Sequence, residues 1–320
     1  MTTLLDVTDN DDILALQPRL TDEDAGVRRI ALIELADLEE PDGLLWLIDR
    51  LADDPSEEVR AEAARLLEAW EDAPVVEALC RALTDPSPAV QAAAAQSLSL
   101  LKCAEAGRVI LPWTGHADSS VRIAAFRALR ELRFAEAAPA ALQALNDRDA
   151  SVRREAVGVL GWLKQLDALP ALARLASDDA DTEVRRAATG ALGLASDAQV
   201  LPALSQALRD QAWQVREEAA TTLGKVGHAD AGPALIEALS DDYWQVRLRA
   251  TRSLGRLRYK AALDPLIETL CHRISNLRKE AALALGELND KGAIAPLQAA
   301  QKDGDPEVRK AVRIALSQLQ

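Results

Sequence analysis

The 320-residue chain carries 51 acidic and 37 basic side chains, a net charge of −14, with 49% apolar and 28% charged residues. That composition can bury a large core under a charged surface, and no run approaches the ~18 consecutive apolar residues of a membrane span. With no such span a membrane is not expected, and because the acidic balance repels phosphate, neither is nucleic acid as a partner. The charge is uneven: residues 1–160 hold 30 acidic against 16 basic side chains, residues 161–320 hold 21 of each, and the first 80 hold 22 against 6. The opening MTTLLDVTDNDDILALQ lacks a basic n-region, a sustained apolar core and a small-residue cleavage site, so no secretory signal is expected. Cys80, Cys103 and Cys271 fit neither a disulfide framework nor a zinc spacing. They read as small buried hydrophobes in a reducing, cytoplasmic setting.

One unit repeats along the chain. A Val (once Leu) followed by Arg (once Gln) recurs at Val27, Val59, Val90, Val121, Val152, Val184, Val215, Val246, Leu277 and Val308, at intervals of 31 or 32 residues. Four residues later stands Ala in nine copies, with Val312 the exception, and eight residues later stands Leu in all. Positions 0, +4 and +8 form one stripe of an α-helix, here called helix B. The small residue at +4 implies that another backbone packs closely there. A second helical pattern precedes each B helix, with Pro near its start at Pro41, Pro74, Pro139, Pro170, Pro202, Pro233, Pro265 and Pro296. A missing N–H costs little at that place. No strand pattern and no Gly/Ser linker appears. The expectation is one array of ten helix-A/helix-B units over residues 1–320, at 8–39, 40–71, 72–102, 103–133, 134–164, 165–196, 197–227, 228–258, 259–289 and 290–320.

An Asp lies five residues before the Val in eight units, from Asp22 to Asp303. It can accept hydrogen bonds from free N–H groups at the start of helix B. Pro in helix A, Asp in the turn and Val-Arg opening helix B resemble the HEAT family, and most closely the short HEAT-like repeats named after phycobilisome lyases. The resemblance covers essentially the whole chain. It implies an all-α, right-handed α-solenoid, with each Arg reaching an Asp of an adjacent repeat. A pair that recurs eight times reads as structure, not as an acid–base catalyst.

Departures from the repeat follow in chain order. Trp46 and Trp70 fall on or beside apolar stripes, as does Trp162, and are expected in the core. The third B helix has Gln91 in place of Arg, and the fourth A helix ends with Pro112, Trp113 and Gly115. This stretch reads either as a local irregularity or as a pocket or hinge, with Trp113 and His116 the residues to watch. His116 and His272 replace the Asp, and His228 lies in another turn. None is followed by Glu, so the His-Glu iron ligation of HEAT-like hydroxylases does not carry over, and the histidines read as polar turn residues. No metal or cofactor is expected. Gly at +9 (Gly161, Gly193, Gly224, Gly255, Gly286) thins five consecutive B helices near their ends.

Two near-identical segments, DQAWQVR and DDYWQVR, place Trp213 and Trp244 at position −2, with Tyr243 beside the second. Other units have Ala25, Glu57, Pro88, Ser119, Ala150, Thr182, Ser275 and Pro306 there. If the helix has already begun, position −2 points about 120° away from the buried stripe. The two indoles are then expected as neighbours on one surface with Tyr243, Leu248, Arg249 and Arg252. Residues 241–280 hold nine basic and five acidic side chains, a basic island in an acidic chain. Trp, Tyr and Arg dominate binding hot spots. A partner-binding surface, a staple that covers the neighbouring turn and a platform for stacking a ligand all remain open.

No phosphate loop, Cys-x-x-Cys pair or Ser/His/Asp constellation can be assembled. The leading expectation is therefore a non-catalytic scaffold for a protein or peptide, gripped on successive B helices with Trp213, Tyr243 and Trp244 as anchors and Arg249 and Arg252 on carboxylates. The alternative, implied by the phycobilisome-lyase likeness, is a helper in attaching or inserting a prosthetic group.

Overall fold

The computed structural model describes residues 8–195 and 198–319. They contain twenty α-helices and no strand. The repeat boundary expected between 196 and 197 lies outside the described residues. The chain divides into two compact units, 1–163 and 164–320. The first holds α1 (Asp11–Leu20), α2 (Ala25–Asp37), α3 (Leu44–Asp53), α4 (Glu57–Leu66), α5 (Ala73–Ala82), α6 (Pro88–Leu100), α7 (Ala104–Ile110), α8 (Ser119–Glu131), α9 (Ala138–Ala144) and α10 (Ala150–Trp162). The second holds α11 (Leu169–Asp178), α12 (Thr182–Ala191), α13 (Leu201–Ala207), α14 (Trp213–Val226), α15 (Gly232–Ala238), α16 (Trp244–Leu257), α17 (Leu263–Leu270), α18 (Ser275–Leu288), α19 (Ile294–Ala300) and α20 (Pro306–Gln318). Odd-numbered helices are the A helices of the repeat and even-numbered ones the B helices. None among the described residues is long and apolar enough to cross a membrane.

The stripe read from the sequence is the core. Position 0 is at most 1% exposed from Val59 onward, and position +4 is fully buried in every unit. Position +8 is equally closed from Leu35 to Leu285. Only Val27, in the first copy, and Leu316, in the last, are half-buried. Within each compact unit a repeat buries its apolar face on the next, which is what builds an α-solenoid.

A close backbone approach lies at +9. A Cβ added to Gly255 would lie 2.7 Å from Ala284 Cα, and one added to Gly286 would lie 2.7 Å from Ala315 Cα. These glycines therefore admit the next B helix rather than merely thinning their own. At Gly224 the facing residue is Ser253, whose Oγ donates to the Ala220 carbonyl at 2.7 Å. Ser97 Oγ donates in the same way to the Ala64 carbonyl at 2.9 Å.

Among the described residues, helix B ends in six units on a residue with positive φ at +12: Glu39, Arg133, Lys164, Gly227, Arg258 and Asn289. Only Gly227 is glycine, so the other five carry the steric cost of the left-handed region. The next residue begins the turn into helix A. In two units it is aromatic, and the preceding A helix makes room with glycine. A Cβ on Gly107 would collide with the Phe134 ring, and one on Gly232 would meet the Tyr259 ring at 2.5 Å.

Several core expectations are corrected. Trp46 is buried, 4% exposed, but Trp162 is 52% exposed, lying under the Arg133 guanidinium, whose Cζ is 4.7 Å from the ring centroid. Trp162 is the last residue of its helix. Trp70 is half-buried in the turn after α4. Of the cysteines only Cys80 is a core residue, its thiol pushed up to about 12 by burial. Cys103 is half-buried at the start of α7 and Cys271 is exposed at the end of α17. At helix ends a repeat pattern says little about which side is covered.

Candidate partner-binding surface

The turn between helices A and B is built by one ladder. Arg185 donates from Nε and Nη2 to the Asp210 carboxylate at 2.7 and 3.0 Å, and from Nη1 to its own turn's Asp179 carbonyl at 2.9 Å. Asp210 accepts in addition from the Ala212 N–H at 2.7 Å. One guanidinium thus ties its own turn to the next. Arg28–Asp54, Arg60–Asp85, Arg122–Asp147, Arg216–Asp241 and Arg278–Asp303 repeat this bidentate form. Burial pushes the Asp210 carboxyl up, but the Arg185 pair, the Ala212 N–H and nearby Arg216 outweigh it and hold the pKa below the usual carboxylate range.

The repeated Asp does not cap helix B, as the sequence suggested. Its backbone partner is the N–H of the residue just before the helix. Capping falls to an Asp two residues later, at Asp24, Asp149, Asp181 and Asp305, and at Asp118 after His116. The spacing Asp-x-Asp-x-x-Val was legible in the sequence and was the missed signal. Helices α14, α16 and α18 have Ala212, Tyr243 and Ile274 at that place, with no side-chain cap.

The two tryptophans are the first residues of α14 and α16, so position −2 is helical. The ring contact joins Trp213 to Tyr243, centroids 5.5 Å apart and planes 13° from parallel, and not the two indoles to each other. Tyr243 precedes its helix and projects toward the previous repeat, which brings it, ahead of Trp244, over Trp213. The Arg216 Cζ lies 5.6 Å from the Tyr243 centroid, so the stack sits over a ladder rung. Tyr243 is 45% exposed, while Trp213, Trp244 and Leu248 are half-buried.

Both arginines of the expected surface have carboxylate partners within the chain. Arg249 Nε donates to Glu217 at 3.0 Å. Arg252 is bidentate with Glu280 at 2.7 and 3.0 Å. They tie neighbouring B helices together. In the first compact unit Arg127, at the repeat position of Arg252, donates to Glu155 at 3.3 Å, and Arg130 joins it at 2.7 Å.

Trp113 and His116, three residues apart, stack with centroids 5.9 Å apart and planes at 24°. A shallow groove of about 510 Å³ beside them is lined by residues that include His116, Arg122, Gln143, Asp147 and Arg148. The histidines act as the aspartates do in the turn: His116 Nδ1 accepts the Asp118 N–H at 3.1 Å, and His272 Nδ1 accepts the Ile274 N–H at 3.0 Å. Among the described residues no cluster of His, Cys, Asp or Glu could hold a metal ion.

Helix pairs stacked through a recurring core stripe and an Arg/Asp ladder define an α-solenoid. The family model described as HEAT repeats matches residues 44–109, 107–193, 176–245 and 232–317. The chain belongs to the HEAT-repeat family. No curated protein matches it in sequence. Its fold is similar to that of an engineered protein, at 22% identity over 97% of this chain and 99% of the other, with a TM-score of 0.54. It is also similar to YibA of Escherichia coli, at 22% identity over 83% of this chain and 98% of that protein, TM-score 0.61. Importin beta matches at 17% identity over 96% of this chain but 50% of the importin chain, TM-score 0.64. The chain therefore spans half the length of that protein. Kap95p, solved in work on its binding to RanGDP, matches at 14% identity over 99% and 53%, TM-score 0.64.

Proposed function

We propose that this protein is a non-catalytic scaffold that holds a protein or peptide partner on the edge where α14 and α16 begin. The observation that carries the reading is Tyr243. It stands where five other repeats have a capping Asp, and it leaves a large aromatic ring 45% exposed on top of Trp213. Forgoing a cap costs about 1 kcal/mol, and a position that breaks the local rule is where function is sought. Trp213 fixes the ring, Trp244 extends the aromatic edge by one helix, and Arg249 and Arg252 serve mainly to lock α14, α16 and α18 in register. The importin beta and Kap95p likenesses support the fold class, and Kap95p binding to RanGDP is an instance of a solenoid of this kind engaging a protein.

The test compares wild type with Tyr243→Asp and with Trp213→Ala/Trp244→Ala in affinity purification from the native organism. Tyr243→Asp is expected to keep its melting midpoint, since a new cap of about 1 kcal/mol offsets a lost stack of about 0.5–1.5 kcal/mol. Both variants are expected to lose the principal partner while the helical circular dichroism persists. Partner retention by both variants sinks the reading. Visible absorbance in the purified protein would turn it instead toward the cofactor-handling role implied by the phycobilisome-lyase likeness.

A further inference from the structure

The ladder is broken at two places, and the breaks differ in kind. At the first, both members change: Gln91 replaces the Arg and His116 the Asp. Gln91 Nε2 keeps the tie to its own turn, donating to the Asp85 carbonyl at 2.7 Å, and no charge is left over. At the second, only the acceptor changes. Arg247 remains and donates from Nη1 to the Asp241 carbonyl at 2.5 Å, but His272 stands where its Asp belongs. The Nε of Arg247, which in the six rungs described above holds a carboxylate, is buried with no partner among the described residues. The Asp241 carboxylate nearby is already clasped by Arg216. Arg273 and Arg278 also lie near His272, Arg278 already clasping Asp303.

We infer that the broken rung between α16 and α18 is a carboxylate-binding site, in which Arg247 grips an Asp or Glu side chain of an acidic peptide segment. The geometry is supplied by the intact rungs: two N–H donors of one guanidinium edge facing a carboxylate, the strongest planar match available to Arg. The gap lies on the turn edge that carries Tyr243 and Trp244, so the inference deepens the scaffold reading and rests on it for the partner's being a polypeptide. The His272 ring is held to the turn by its Nδ1 hydrogen bond. Moving it aside gives up that one hydrogen bond. Charge complementarity selects the occupant, because residues 241–280 are basic within a chain of net charge −14.

The probe is a fluorescein-labelled hexaglutamate peptide, with hexaglutamine as its neutral counterpart, titrated against the full chain by anisotropy. Wild type is expected to bind hexaglutamate and not hexaglutamine. His272→Asp closes the rung internally, so it is expected to raise the melting midpoint and weaken hexaglutamate at least tenfold; Arg247→Gln weakens it without raising the midpoint. Equal affinity in wild type and His272→Asp, or no preference for hexaglutamate over hexaglutamine, overturns the site. The assay separates the two readings. A partner lost on Trp213→Ala/Trp244→Ala, with hexaglutamate indifferent to His272→Asp, keeps the scaffold and sinks the rung. Hexaglutamate binding abolished by His272→Asp, with no partner retained in cells, does the reverse.

Discussion

At the scale of single residues, the ladder is the most demanding feature. Asp54 is 2% exposed and Arg28 6%, so neither charge is solvated if the other is removed. Asp54→Ala is expected to cost about 3–5 kcal/mol in urea unfolding, because it strands a buried guanidinium. The carboxylates also set an acid limit. For Asp54, Asp85 and Asp241, as for Asp210, burial raises the pKa and the arginine and N–H hydrogen bonds more than offset it, so the folded value lies below the usual one. Their contribution is therefore complete above about pH 4, the unfolded value, and is lost as pH falls through the depressed folded values. Circular dichroism followed downward from pH 6 should show helix content flat to about pH 4 and falling below it. An unfolding midpoint near pH 5 would contradict the assignment.

At the scale of helices, small residues set how closely successive B helices approach. Gly255→Val places side-chain atoms where Ala284 Cα already lies 2.7 Å from a notional Cβ. An overpacking loss of about 1–3 kcal/mol is expected, read as a shift of the urea midpoint at unchanged slope. The aromatic notch gives a cleaner cycle. Gly232→Ala is expected to destabilise because its Cβ would sit 2.5 Å from the Tyr259 ring, and Tyr259→Ala should recover part of that loss. Additive losses would show that the ring does not fill the notch. The Gly at +9 was visible in the sequence as a periodic residue, but which neighbour it admits was not. Periodicity reports that a position is constrained and leaves open by what. The same holds for Tyr243: its departure from the repeat was plain, whereas its stack on Trp213 depends on how far one turn reaches over another.

At the scale of the whole molecule, stability is a sum of repeat and nearest-neighbour terms. The chain divides between Leu163 and Lys164, at the end of a repeat, so a cut there interrupts no helix. Fragments 8–163 and 164–320 are each expected to keep the helical signal per residue of the full chain and to unfold cooperatively. A fragment that is largely disordered by circular dichroism would show that its stability is borrowed. The sequence by itself determined the helix pairs, their number, the buried stripe and the Arg and Asp of the ladder, because these recur in all or most units and each recurrence carries the same local physics. Only the tertiary structure decided which Arg meets which Asp, that Trp213 meets Tyr243, that Arg249 and Arg252 are spent on Glu217 and Glu280, and that Arg247 is left without a carboxylate. Those are relations between repeats some 25 to 32 residues apart, and they depend on the distance and angle at which one turn lies over the next, which no single repeat encodes.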